Sequence, residues 1–243
     1  MQHDPHDVLE ENQRRRRNLH VDYDPIRGVG SPIERFPFQV HPDWRPVYLP
    51  KTMQDHRAVT FSQQAGSLYT YADLIGKPWD EVLFEFRRDR CKEDFEYWCS
   101  SVAKIKDKEG RTIDLVPNRP QREYIRQLEQ QRMAGRPVRM ILLKHRQWGA
   151  TTLSYAYIAW HQMEKYKKRD AWIVAQDSDA AKDVMARYDR IRQHYPFREL
   201  GWRPYAGQQN SRIIPQRDAK VSTGTVKRPN APSGRTPQFV HLT

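Results

Sequence analysis

The sequence predicts an α/β fold, a parallel sheet flanked by helices. Two observations carry that reading. Between residues 118 and 196 the chain alternates helix, apolar strand, tight basic loop, helix, apolar strand and helix. Repeats of that length join parallel strands through crossover helices. The strands themselves, Met140–Leu143 and Ala171–Ala175, are unbroken apolar runs, as expected where both faces of a sheet are covered.

Composition narrows the classes of function. A chain of 243 residues can bury one good core with a small appendage. Charged residues make up 30% and the mean hydropathy is −0.95, so much of the chain is surface or extended. The net charge of +12 and pI near 9.8 favour an anionic partner, most simply nucleic acid, over a merely solvated basic surface. No apolar run approaches the roughly 18 residues of a membrane span, and no charged-then-apolar leader opens the chain. Cys91 and Cys99 are too few for a disulfide framework or a zinc site. Their spacing predicts two buried thiols on one helical face, and a reducing compartment.

Taken in order, residues 1–66 read as an extended Pro/Arg-rich arm. A short helix is expected at Asp7–Gln13, then the run Arg14-Arg15-Arg16-Arg17, a solvated tail or a contact to phosphates. Six prolines between Pro25 and Pro50 forbid long helices and central strands, and Phe36, Phe38, Trp44 and Tyr48 are expected to pack onto something else. From Tyr71 to Ala103 the pattern is helical: Trp79, Val82, Leu83 and Phe86, then Phe95, Trp98, Cys99 and Val102, repeat at three and four residues. Lys104–Arg111 reads as a charged hairpin turn with Thr112–Val116 returning. A helix begins at Asn118 to Pro120, with Gln121, Tyr124, Ile125 and Leu128 on one face and Gly135 and Pro137 at its close.

After the strand at Met140, an amphipathic helix is expected, with Leu153, Ala156, Tyr157, Trp160 and Met163 inward, ending near Arg169. Gln176–Asp179 caps the next, whose apolar face is Ala181, Val184, Met185, Tyr188 and Ile191. Ser211–Pro215 and Lys220–Thr225 read as short strands turning near Asp218, and Gln238–Leu242 as a buried apolar strand.

The chemistry concentrates in Lys144-His145-Arg146-Gln147-Trp148-Gly149-Ala150-Thr151-Thr152, between strand and helix. A Walker A loop is G-x-x-x-x-G-K-[S/T]. Here the second glycine (Gly149) and the hydroxyl (Thr151) are kept, Lys144 stands at the first glycine's place and Ala150 at the lysine's. A helix opening there points backbone N–H groups and the positive end of its dipole into the loop, and Gly149 permits close approach to phosphate oxygens. Lys144 reaches phosphate from the other end, Thr151 is placed for Mg²⁺, and Arg146 offers a forked charge. The competing reading is a basic strand-to-helix turn with Thr151 as an N-cap. Gln121 presents a donor and an acceptor, as an adenine edge requires; it also suits a plain first-turn position. His3 and His6 read as incidental.

Several of these pieces stand together in an order that resembles the ATPase domain of the large terminase subunit of tailed bacteriophages, the motor that packages DNA into proheads. The resemblance runs from about Glu93 to Thr243. It rests on Lys104–Gly110 followed by Asn118–Arg122, on Lys144–Thr152 as a variant Walker A with its lysine moved forward, and on Ile173–Asp177 leading into an Ala-rich helix. Gly234-Arg235 shortly before Phe239–Thr243, which resembles a Walker B strand, completes it. The resemblance implies a P-loop NTPase-type sheet over residues 67–243, incomplete at its C-terminus and without the family's nuclease domain. It implies ATP and Mg²⁺ as cofactors, held by Gln121, by Lys144, His145, Arg146, Gln147, Trp148, Gly149, Ala150, Thr151 and Thr152, and by Arg235. Thr151 and Thr243 would hold the metal; Lys144 and Arg146 would be the catalytic cations. The family's water-polarising glutamate would follow Thr243, so the fragment is expected to bind ATP and hydrolyse it poorly. The implied partners are double-stranded DNA, portal protein, the small terminase subunit and further copies of the full-length chain on the prohead, in host cytoplasm. A helicase-like P-loop ATPase and a non-enzymatic basic DNA-binding module are the competing readings.

Overall fold

The computed structural model describes residues 23–107, 109–143, 148–196, 210–226 and 236–242. Among them are seven α-helices and a mixed sheet, so the chain is α/β. In chain order, β1 (Arg35–Phe38) and β2 (Val47–Pro50) pair antiparallel. Helix α1 (Arg57–Ala65) stops at Gly66, whose φ of 90° only glycine adopts cheaply. Helix α2 (Leu68–Leu74) starts at Ser67, whose hydroxyl accepts from the Thr70 amide at 3.0 Å. Helix α3 (Trp79–Glu93) has Asp80 and Glu81 in its first turn and Arg90 and Lys92 in its last, matching its dipole. Asp94 then breaks the helix and caps α4 (Phe95–Ser101) through the Tyr97 amide.

Strands β3 (Lys104–Lys106) and β4 (Thr112–Asp114) form the expected charged hairpin. Helix α5 (Arg119–Met133) opens on a capping box: Asn118 accepts from the Gln121 amide, and Gln121 Oε1 accepts from the Asn118 amide. Helix α6 (Ala150–Trp160) runs into a π-helical turn, His161–Lys165. Strand β5 (Ala171–Ala175) follows, then α7 (Ser178–Gln193), capped by Asp177. The described chain ends with β6 (Ser211–Ile214), β7 (Ala219–Thr225) and β8 (Phe239–Leu242).

These residues fall into two compact units, divided at Leu83/Phe84, Leu115/Val116 and Trp148/Gly149. In the first unit, residues 24–66 are no extended arm. They include the β1–β2 hairpin and α1, and Phe38, Leu49, Met53 and Val59 of this stretch are buried. The Leu68 and Tyr69 amides donate to Gln39 O and Val40 O, tying α2 to the hairpin. The prolines do limit these elements to short lengths. The arginine run, the histidine pair and the expected helix at 7–13 lie outside the described residues.

The first unit also corrects the strand at Met140–Leu143. Residues 136–143 are neither helix nor strand, and Ile141 and Leu143 are each 94% exposed. The apolar run has strand composition, but among the described residues no strand pairs with it.

In the second unit, the sheet order is β6-β7-β5-β8. β5 pairs parallel with β7 and with β8, and β6 lies antiparallel on the β7 edge, so the sheet is mixed where a parallel one was expected. β8 is an edge strand among the described residues, with Val240 60% and Leu242 73% exposed, not the buried strand expected. Helix α6 is buried on all sides from Leu153 to Trp160, so the expected amphipathic pattern reads only half of its surroundings. Cys91 and Cys99 are both buried, but the break at Asp94 puts them on separate helices. The residues expected on the inner face of α7 are all buried.

A polar knot fastens this unit at the π-helical turn. Gln162 Nε2 donates to Arg169 O and Lys220 O, and Tyr188 OH donates to Gln162 Oε1 at 2.8 Å. Arg217 donates to the Gln162 and Glu164 carbonyls, which the widened turn displaces from regular helical pairing.

Candidate functional site

The direction of α6 against β8 fixes where its first turn lies. Tyr155 meets His241 edge-on at 5.5 Å, and His161, further along the helix, meets Phe239, earlier in the strand, at 5.1 Å. The helix therefore runs antiparallel to β8. Its N-terminal turn lies toward the carboxyl end of the parallel strands β5 and β8, where open α/β sheets bind ligands.

That turn opens on Gly149 at φ 82°, a left-handed conformation with no side chain to cap the helix. Ala150 is buried, and Thr151 and Thr152 are half-buried. From Leu153 to Glu164 everything is buried, so the first turn is the surface that α6 offers. Thr152 Oγ1 accepts from Arg187 Nη1 at 3.1 Å, and Asp183 holds the same guanidinium at 2.8 Å.

The other expected site residues separate into two groups. Lys144, His145, Arg146, Gln147, Arg235 and Thr243 lie outside the described residues. Gln121 and Trp148 belong to the first unit. Gln121 is buried and its carbonyl oxygen is engaged in the capping box. The Trp148 carbonyl accepts from Asn118 Nδ2 at 3.2 Å, and its ring sits edge-on to Tyr124 at 6.2 Å. Asn118 thus links the cap of α5 to the residue preceding Gly149. The Asn118-x-x-Gln121 spacing of a capping box was legible in the sequence and gives Gln121 a structural task.

The electrostatics of the second unit are set by burial. Glu164 receives a hydrogen bond from Trp98 Nε1 at 3.1 Å, yet desolvation raises its carboxyl above the ordinary glutamate range. Burial, then the Glu164 charge, raises the Tyr195 hydroxyl as well. Burial raises the Cys91 and Cys99 thiols well above their ordinary value, which makes both poor nucleophiles at neutral pH.

Sequence reasoning missed Lys106, Arg187 and Arg190 as a group. Positions 183, 187 and 190 follow one another at helical spacing away from the apolar face of α7, which was the available signal. Among the described residues, no cluster of three or more His, Cys, Asp or Glu forms a metal site, and no helix is long and apolar enough to cross a membrane. No protein-family model matches the chain, and no curated protein matches it in sequence.

Proposed function

We propose that this chain is a nucleotide-binding part of a DNA-packaging motor of the large terminase type, taking Mg·ATP on the loop 144–152 and duplex DNA on its basic surface. One observation carries the reading: α6 opens on a left-handed glycine and turns its N-terminus toward the carboxyl end of parallel strands. That arrangement receives phosphate through backbone amides and the helix dipole. In this proposal Lys144 and Arg146 neutralise the β- and γ-phosphates, Thr151 and Thr243 hold Mg²⁺, Gln121 and Arg235 bound the nucleotide, and Gly149 lets the backbone approach. ATP would supply the phosphoryl group whose charge these residues balance. The net charge of +12 supports a polyanionic partner gripped without sequence readout. Portal protein, the small terminase subunit, other copies of the chain and a host-cytoplasmic site of action follow from the same reading.

The test is nucleotide titration with a fluorescent ATP analogue in Mg²⁺. Lys144→Ala removes a charge-assisted contact worth about 1.5–3 kcal/mol, or roughly 10- to 150-fold in affinity. Unchanged affinity in this variant would falsify the assignment of the phosphate site.

A further inference from the structure

Within the second unit a cleft of about 400 Å³ opens between the β3–β4 hairpin and α7, with Thr152 and Tyr155 of α6 in its lining. Lys104, Lys106, Arg187 and Arg190 face it, against the carboxylates of Asp107 and Asp183. Both carboxylates are already engaged. Asp107 accepts from Arg111 Nε at 2.7 Å and from the Glu109 and Arg111 amides, and its hydrogen bond to Arg111 lowers its pKa. Asp183 accepts from Arg187, and Lys104 is paired with Asp114 outside the lining. That leaves Lys106, from the hairpin, and Arg190, from the helix, with no side-chain hydrogen bond or ion pair among the described residues. Two cations from different elements thus converge on one concavity without a carboxylate to answer them.

We infer that this cleft is a phosphate-backbone site for duplex DNA, one that places Lys106 and Arg190 on the phosphates. The volume exceeds what one free phosphate ion fills, and Ile105, Ala186 and Ile191 also line it, adding apolar surface that suits a sugar face. Contacts of this kind bind by charge and shape and carry no base information. Arg187, held between Asp183 and Thr152, connects the cleft to the first turn of α6, so backbone bound here would bear on the helix that opens the loop. The inference rests on the duplex-DNA half of the function proposed above and is independent of whether the loop takes nucleotide.

The experiment is fluorescence anisotropy of a short labelled duplex of mixed sequence with the full chain, repeated across a salt series. For Lys106→Ala/Arg190→Ala, affinity should fall roughly tenfold near 0.1 M salt, and the slope of log K against log salt should drop by about 2. A charge-matched control, Lys167→Ala/Lys168→Ala, should fall much less. Lys106→Glu alone should weaken binding as much as the double variant, and thermal melts establish that each variant is folded. Unchanged affinity and slope, or an equal loss in the control, overturns the cleft while sparing the DNA reading. No duplex binding by the wild-type chain overturns both. Inorganic phosphate, titrated separately by calorimetry, should not bind measurably at millimolar levels. Phosphate binding that the double variant abolishes, with duplex affinity unchanged, assigns the cleft to free anion and overturns the proposal.

Discussion

Replacing Tyr188 with Phe isolates one bond of the knot that holds the second unit together. Tyr188 is fully buried and donates its hydroxyl to Gln162 Oε1 at 2.8 Å; Gln162 is also fully buried, and its NH₂ is occupied by Arg169 O and Lys220 O. Phe keeps the ring and its packing, so no cavity term of consequence arises. The loss is the donor to a carbonyl oxygen with no route to water, about 1–3 kcal/mol. Taking about 2 kcal/mol, and roughly 2–4 °C per kcal/mol for a chain of this length, Tm should fall by about 4–8 °C. Urea unfolding gives the free energy directly. Gln162→Met should cost more, because it also removes the donor to the part-buried Arg169 and Lys220 carbonyls. In the double variant, the Tyr188–Gln162 coupling should appear as about 1–2 kcal/mol of non-additivity. A Tyr188→Phe variant within about 0.5 kcal/mol of wild type, or strict additivity with Gln162→Met, would refute the view that this bond holds the π-helical turn against α7.

Two further perturbations test the same unit. Asp94 is 0% and Arg90 3% exposed at 3.1 Å, and Asp94 also caps α4; Asp94→Ala should therefore cost about 3–5 kcal/mol for the lost carboxylate plus about 1 for the cap. Asp94→Asn, which keeps the cap, should recover about that 1 kcal/mol in urea melts; an Ala variant within about 1 kcal/mol of wild type would exclude a stabilising role for the pair. Glu164 has its folded-state pKa raised by burial, so the native protein holds that proton longer than the unfolded chain does. Its contribution is present at low pH and declines as pH rises from the ordinary glutamate value through the raised one. Relative to wild type, Glu164→Gln should thus gain stability as pH rises above the ordinary glutamate value, and urea midpoints that run parallel with pH contradict the assignment.

What the sequence made legible was local. The period of α7, the run Ala171–Ala175 and the turn residues of the β3–β4 hairpin specify their elements through contacts within a few residues, and the structure has each of them. The readings that failed depend on what lies across the chain. Met140–Leu143 has the composition of a buried strand, but a strand is a pairing, and composition cannot name the partner. The prolines between Pro25 and Pro50 do exclude long elements, yet Phe38 and Leu49 still bury themselves across a four-residue hairpin. The break between α3 and α4 was written at Asp94, a capping residue amid continuous helical periodicity, and periodicity outvoted it.

The same distinction explains why the candidate site divides as it does. A glycine before a helix is a weak signal, since helices open on many residues. What gives Gly149 its meaning is the orientation of α6, and that comes from aromatic contacts to a strand about 80 residues away in sequence, a separation no local pattern encodes. Once that orientation is set, burial from Leu153 to Glu164 leaves the first turn as the part of α6 with surface to offer. The helix is held by its body and presents its amino end. Thr152 then lies at a junction, with its hydroxyl turned to Arg187 and the basic cleft while the helix opens at Gly149, three residues earlier. The Arg187 guanidinium bonds both Thr152 and Asp183, so it touches the opening turn and the cleft at once. Removing Arg187 should therefore disturb both the cleft and the opening turn of α6, whereas removing Lys106 should disturb the cleft alone.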